Sequence, residues 1–119
     1  MNLRRLLAGS FALAVSVWAL AASAAKPAER VIHVTAKKFE FAPSTIELKV
    51  GEPVVLEITS LDRKHGMKSP DLGIDAVIVP GKPTRVHLRP DKAGTFSFHC
   101  SVFCGSGHED MAGQIVVTP

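Results

Sequence analysis

The sequence predicts an antiparallel β-sandwich, and three observations point there. Short runs of apolar and polar alternation recur beyond residue 30 at intervals of roughly 8 to 12 positions, Gly and Pro stand between them, and no segment past the first 25 residues keeps a helical period.

The first run, residues 31–36 (VIHVTA), is rich in β-branched side chains, which suit a pleated surface better than a helix. Residues 39–41 alternate Phe-Glu-Phe, and Ala42-Pro43-Ser44 breaks the run because proline cannot donate to a strand ladder. Alternation resumes over residues 45–50, Gly51-Glu52-Pro53 turns, and residues 54–59 (VVLEIT) read as another strand. Residues 60–71 are expected to form a polar loop, with Asp62, Arg63, Lys64 and Lys68 as a mixed solvated set around His65, Gly66 and Met67. Residues 74–79 are apolar, 80–83 (PGKP) turn, 84–88 alternate and 89–94 turn again, after which 95–100 and 114–118 complete the strands.

The chain opens with a basic pair, Arg4-Arg5, an apolar run over residues 6–20, and the small residues Ala21-Ala22-Ser23-Ala24-Ala25. That order is the pattern of a secretory signal peptide over residues 1–25, with an Ala-x-Ala cleavage site at Ala22-Ser23-Ala24. The competing reading is an uncleaved anchor, because the apolar run approaches the roughly 20 residues that span a bilayer. The paired arginines leave the twin-arginine route open beside general secretion, and no cysteine near the site invites lipid attachment.

Cleavage would leave residues 26–119, roughly 95 residues and one small domain with a single core. Two of the 14 Lys and Arg residues depart with the leader and none of the 11 acidic ones, so 12 basic side chains face 11 acidic ones at a net +1. A near-neutral chain without a basic cluster gives no support for nucleic-acid binding.

Chemistry concentrates in residues 100–111, where Cys100, Cys104, His108 and Met111 supply two thiols, an imidazole and a thioether. Those soft and borderline donors suit copper far better than magnesium or calcium, which prefer hard oxygen ligands. Gly105 and Gly107 allow the chain to fold back and aim its donors at one point. The spacing is not that of a structural zinc site, since no second Cys or Cys-His knuckle exists in the chain. In an oxidising compartment the two cysteines could instead form a disulfide, but so short a loop would stabilise the fold modestly and leaves His108 and Met111 unexplained. A further ligand must come from elsewhere, and His65, beside Gly66, is the best candidate. His33 and His87 fall in predicted strands and are expected at solvent or an edge. His99 should point away from its neighbour Cys100 because adjacent strand residues face opposite sides. Met67 reads as packing, and Glu109 and Asp110 as candidates to shape a partner surface.

The segment Cys100-x-x-x-Cys104-x-x-x-His108-x-x-Met111, preceded by Pro80-Gly81 and Gly94-x-Phe96, resembles the binuclear copper A domain of cytochrome c oxidase subunit II and of nitrous oxide reductase. Upstream, His65-Gly66-Met67, Pro70, Leu72-Gly73-Ile74, Asp75-Ala76 and Pro80-Gly81 resemble the first ligand loop of that family and the strand leaving it. Phe39-x-Phe41-x-Pro43 with Ile46 and Gly51 resembles cupredoxins in general.

The resemblance implies an all-β, cupredoxin-like Greek-key sandwich over residues 26–119. It also implies that Cys100 and Cys104 bridge two coppers through their thiolates, that His65 and His108 bind one copper each, and that Met111 is a weak axial ligand. The opposite axial position would be the main-chain carbonyl of Val102, where cytochrome oxidases commonly carry Glu. Phe96, Phe98 and Phe103 are expected to shield such a centre, or simply to be core. The expected role is single-electron transfer in the periplasm, with redox partners such as a c-type cytochrome or a terminal reductase and no catalytic site of its own. Oxidase subunit II usually carries membrane-spanning helices before its copper domain, whereas here only the leader precedes it, so a free-standing carrier with no membrane span after cleavage is expected. The alternative is a protein that holds one copper ion for trafficking or tolerance, and a third reading is a disulfide-stapled structural or adhesive sandwich.

Overall fold

A computed structural model describes residues 28–119, together with Ala14. The leader assigned to residues 1–25 therefore lies, apart from Ala14, outside the described residues. Among those described, no helix is long and apolar enough to cross a membrane.

Among the described residues nine strands run in order: β1 (Arg30–Lys37), β2 (Glu40–Ala42), β3 (Thr45–Lys49), β4 (Val54–Ser60), β5 (His65–Ser69), β6 (Ile74–Ile78), β7 (Thr84–Leu88), β8 (Gly94–His99) and β9 (Ala112–Thr118). One sheet has the order β2-β1-β4-β7 and the other β3-β9-β8-β5-β6. The two pack face to face as a sandwich, as the alternation predicts.

Alternation decides which side chains fill the interior. In β3, Ile46 and Leu48 are buried between exposed Thr45, Glu47 and Lys49; in β6, Ile74, Ala76 and Ile78 turn inward. β4, central in its sheet, is buried along most of its length. The core joins Val34, Phe41, Ile46, Leu56, Ile58, Ile78, Phe98 and Ile115. Near its centre Phe41 and Phe98 meet edge to face, with ring centroids 5.1 Å apart.

Two features depart from the expected pattern. Most pairs are antiparallel, but β1 runs parallel to β4 and β3 parallel to β9, so each sheet is mixed. Side-chain alternation has the same period in both directions and cannot distinguish them. Residues 60–71, expected to be a loop, contain β5, which pairs with β6 in the register His65↔Ile78 through Ser69↔Ile74 and touches β8 at Lys68↔His99. His65 is thus a strand residue and fully buried.

The register of β8 with β9 fixes the cysteine segment in space. His99 pairs with Ala112, and immediately beyond that pair Cys100 N–H donates to Met111 O at 2.9 Å. Residues 100–111 are therefore the loop of one hairpin, with Cys100 and Met111 facing each other at its base.

Candidate metal centre

The loop is held by its own main chain before any side chain is considered. His108 N–H donates to Gly105 O at 3.2 Å, Asp110 N–H to Gly107 O at 3.1 Å, and Met111 N–H to His108 O at 3.2 Å, giving a short 3-10 turn at His108–Asp110. Gly105 has φ 137°, a backbone angle that side-chain-bearing residues rarely adopt, and the chain reverses there.

The donors converge. Cys100 Sγ lies 3.7 Å from Cys104 Sγ, and both thiols are free and buried. His65 Nδ1 is 3.9 Å from Cys100 Sγ on one side, and His108 Nδ1 is 3.5 Å from Cys104 Sγ on the other. Met111 Sδ is 3.7 Å from Cys104 Sγ, and the Cys100 thiol donates to Val102 O at 3.2 Å. The six sequence-predicted positions are thus brought together from β5 and the β8–β9 loop. Among the described residues, the ligand atoms of His65, Cys100 and Cys104 all fall within 4.8 Å of one another.

The ring of His65 has a defined orientation. Its Nε2 is 2.7 Å from Asp62 Oδ1. An ionised carboxylate only accepts, so Nε2 carries a proton, and in the neutral ring Nδ1 is the lone-pair atom that faces Cys100. Partial burial alone would raise the Asp62 pKa, but hydrogen bonds from Lys38 N–H, His65 and Arg63 N–H outweigh it and hold the group at about 2. Asp62 is therefore anionic at neutral pH, not one more solvated loop charge as expected from sequence. The signal that could have found it is an Asp three residues before a candidate ligand His, an arrangement that fixes imidazole tautomers in metal sites.

The thiols favour a cation between them. Burial pushes the Cys104 thiol up to about 11, and the neighbouring Cys100 adds to the shift. Two buried thiolates side by side are costly without a positive charge to share, and a soft metal ion supplies one. The donor set of two sulfurs, two imidazole nitrogens, a thioether and a carbonyl therefore fits copper.

The remaining expectations fall as follows. His33 and His87 stand exposed on the outer face of their sheet, beside Glu57 at 3.5 Å and Glu29 at 3.4 Å. His99 is exposed and turned away from the site, and Met67 is fully buried packing. Phe96 and Phe98 are core. Phe103 departs from the expected shield: it is 73% exposed, its ring tilted against His108 at a centroid distance of 5.5 Å. Loop residues have no alternation that would have revealed this.

A β-sandwich that gathers soft donors at one end, from a strand and a hairpin loop, defines a class of domains built around a candidate metal site. The known proteins narrow it. Residues 10–117 match the cupredoxin-like domain, and the chain belongs to that family. It is 33% identical to cytochrome c oxidase subunit 2 of Thermus thermophilus over 91 residues, covering 76% of this chain and 67% of that protein. It is 27% identical to the nitrous-oxide reductase of Stutzerimonas stutzeri over 92 residues, covering 74% of this chain and only 14% of that one. Among solved structures, the periplasmic domain of subunit II of cytochrome oxidase from Bradyrhizobium japonicum superposes with a TM-score of 0.71 at 19% identity, covering 78% of this chain and 86% of that one. The resemblance read from the cysteine loop and the His65 segment thus agrees with these comparisons.

Proposed function

We propose that this protein carries single electrons through a copper centre of the binuclear copper A type. Cys100 and Cys104 would bridge the ions, His65 and His108 would cap them, and Met111 Sδ and Val102 O would be the weak axial contacts. The observation that carries this reading is a buried, unbridged sulfur pair 3.7 Å apart with one imidazole nitrogen at each end, 3.9 Å from Cys100 and 3.5 Å from Cys104. An arrangement with a nitrogen beyond each sulfur suits two ions better than one. Kinship with an oxidase subunit 2 and a nitrous-oxide reductase supports the same role.

Copper held by Cys100, Cys104, His65 and His108 would supply a one-electron couple, and a rigid donor set would keep bond change small at each transfer. The chain's own contribution is rigidity. Asp62 holds His65 in one tautomer, the β8–β9 register holds Cys100 opposite Met111, and His65 and the three sulfurs are buried. The working compartment we propose is the periplasm, reached with residues 1–25 as a cleaved leader. The proposed partners are redox proteins of that compartment, such as a c-type cytochrome as donor or a terminal reductase as acceptor.

A second reading has one observation in its favour. His65, Cys100 and Cys104 by themselves form a compact three-donor group, sufficient for a single copper ion in a trafficking or tolerance role. One experiment separates the two. Reduced protein is loaded with copper, and the metal-to-chain ratio and the electron paramagnetic resonance spectrum are recorded. Two ions per chain with hyperfine structure from an electron shared by two nuclei support the electron carrier, whereas one ion with a single-nucleus pattern supports the alternative. Cys104→Ser should abolish the shared-electron spectrum, and a variant that retained it would refute the bridging assignment. Met111→Leu should shift the potential and leave the spectrum's origin intact.

A further inference from the structure

The turn between β1 and β2 reaches both halves of the candidate centre, although it supplies none of the proposed ligands. At Lys38 the main-chain N–H donates to Asp62 Oδ2 at 2.7 Å, while Asp62 Oδ1 takes His65 Nε2 at 2.7 Å and Arg63 N–H at 2.6 Å. The next residue, Phe39, lies against the other ligand-bearing segment. A Cβ on Gly105 would come within 3.0 Å of Phe39 Cε1 and Cζ, and one on Gly107 would collide with Cδ2 of the same ring. Gly107 has φ −98°, which any residue adopts, so its backbone angle does not call for glycine. The ring is what a side chain there would displace. Phe39 also packs, half-buried, on the main core.

We propose that the Lys38–Phe39 turn is a strap: the Lys38 N–H holds the carboxylate behind His65, and the Phe39 ring presses the Cys104–His108 segment into place. The two ligand-bearing elements then keep their separation only while this turn is seated. Phe39 is a positioning residue. What the strap serves rests on the metal-centre reading, but its mechanical part does not.

The test uses the reduced, metal-free protein as well as the copper-loaded one. Iodoacetamide labelling, mapped to Cys104 by mass spectrometry, is compared among wild type, Phe39→Leu, Phe39→Ala, Gly107→Ala and the Phe39→Ala/Gly107→Ala pair, alongside urea midpoints for each. Phe39→Ala should speed Cys104 labelling by on the order of tenfold beyond what its loss of global stability explains, because a local opening has been made easier. Phe39→Leu, which keeps an apolar side chain over the glycines, should restore most of the protection. Gly107→Ala should mimic Phe39→Ala when made alone and add nothing when the ring is already gone. Transfer of copper to a chelator should quicken in the same order. Labelling that tracks global stability alone, or a Gly107→Ala effect of the same size with and without the Phe39 ring, would overturn the strap. A wild type that takes up no copper would overturn the metal-centre reading, with the labelling comparison still deciding the strap.

Discussion

At Gly66, β5 lies close against the cysteine loop, and replacing it with alanine sets two opposed effects against each other. Glycine inside a strand is about 0.5–1 kcal/mol less favourable than alanine, so propensity alone predicts that Gly66→Ala stabilises the protein. The contacts argue the other way. The added Cβ would overlap Ser101 Oγ and stand 3.0 Å from Val102 Cγ2 and 3.1 Å from Val102 N. Ser101 is exposed and its hydroxyl can rotate, but the Val102 nitrogen moves only if the loop moves. Overpacking of this kind costs about 1–3 kcal/mol, which outweighs the propensity gain and leaves a net destabilisation of about 1 kcal/mol. With a urea dependence of about 1 kcal/mol per molar for a small domain, the midpoint of the reduced metal-free protein should fall by roughly 1 M. The same shift carries Val102 O away from Cys100 Sγ, now 3.2 Å distant, so metal uptake should weaken as well. An unchanged or raised midpoint would show that the loop is not seated on β5, and the reasoning would fail.

Phe98→Ala empties a fully buried position and removes the edge contact with Phe41, which together should cost about 3–5 kcal/mol in chemical denaturation. The Asp62 carboxyl predicts an acid limb. Its pKa falls from 3.8 to about 2 on folding, so the unfolded chain binds more protons in that window. The stabilisation is therefore complete above 3.8 and is lost as pH drops through about 2. Thermal scans of the metal-free protein across this range should show a shallower decline for Asp62→Asn than for wild type, and parallel curves would count against the assignment.

Much of the sandwich is visible in the sequence because alternation reports burial directly. Residues 84–88 were expected to alternate, and β7 spans Thr84–Leu88; the Gly/Pro clusters at 51–53 and 80–83 do separate strands. β5 is hidden for a physical reason. His65-Gly66-Met67-Lys68-Ser69 has little intrinsic preference for a strand, and its conformation comes from pairing with β6 and from burying His65. The cysteine loop is legible because metal donors at short spacing are rare by chance. Asp62 is not, since its role depends on an N–H from Lys38, 24 positions earlier, that only the fold brings to it. The same holds for Phe39, whose contact with Gly105 and Gly107 spans more than sixty positions.

The parallel pairing of β3 with β9 bears on the order of events during folding. Thr45 and Gln114, paired in that register, are separated by 69 positions, so this ladder closes only after most of the chain has been gathered. Closing so large a loop is slow compared with forming a hairpin. Until it closes, the strand leaving Met111 is seated only on its hairpin partner β8, and the sandwich that buries both sulfurs is incomplete. In an oxidising environment, maturation becomes a race between topology and oxidant, and the nascent polypeptide wins it by folding quickly or by meeting a reductant before copper arrives.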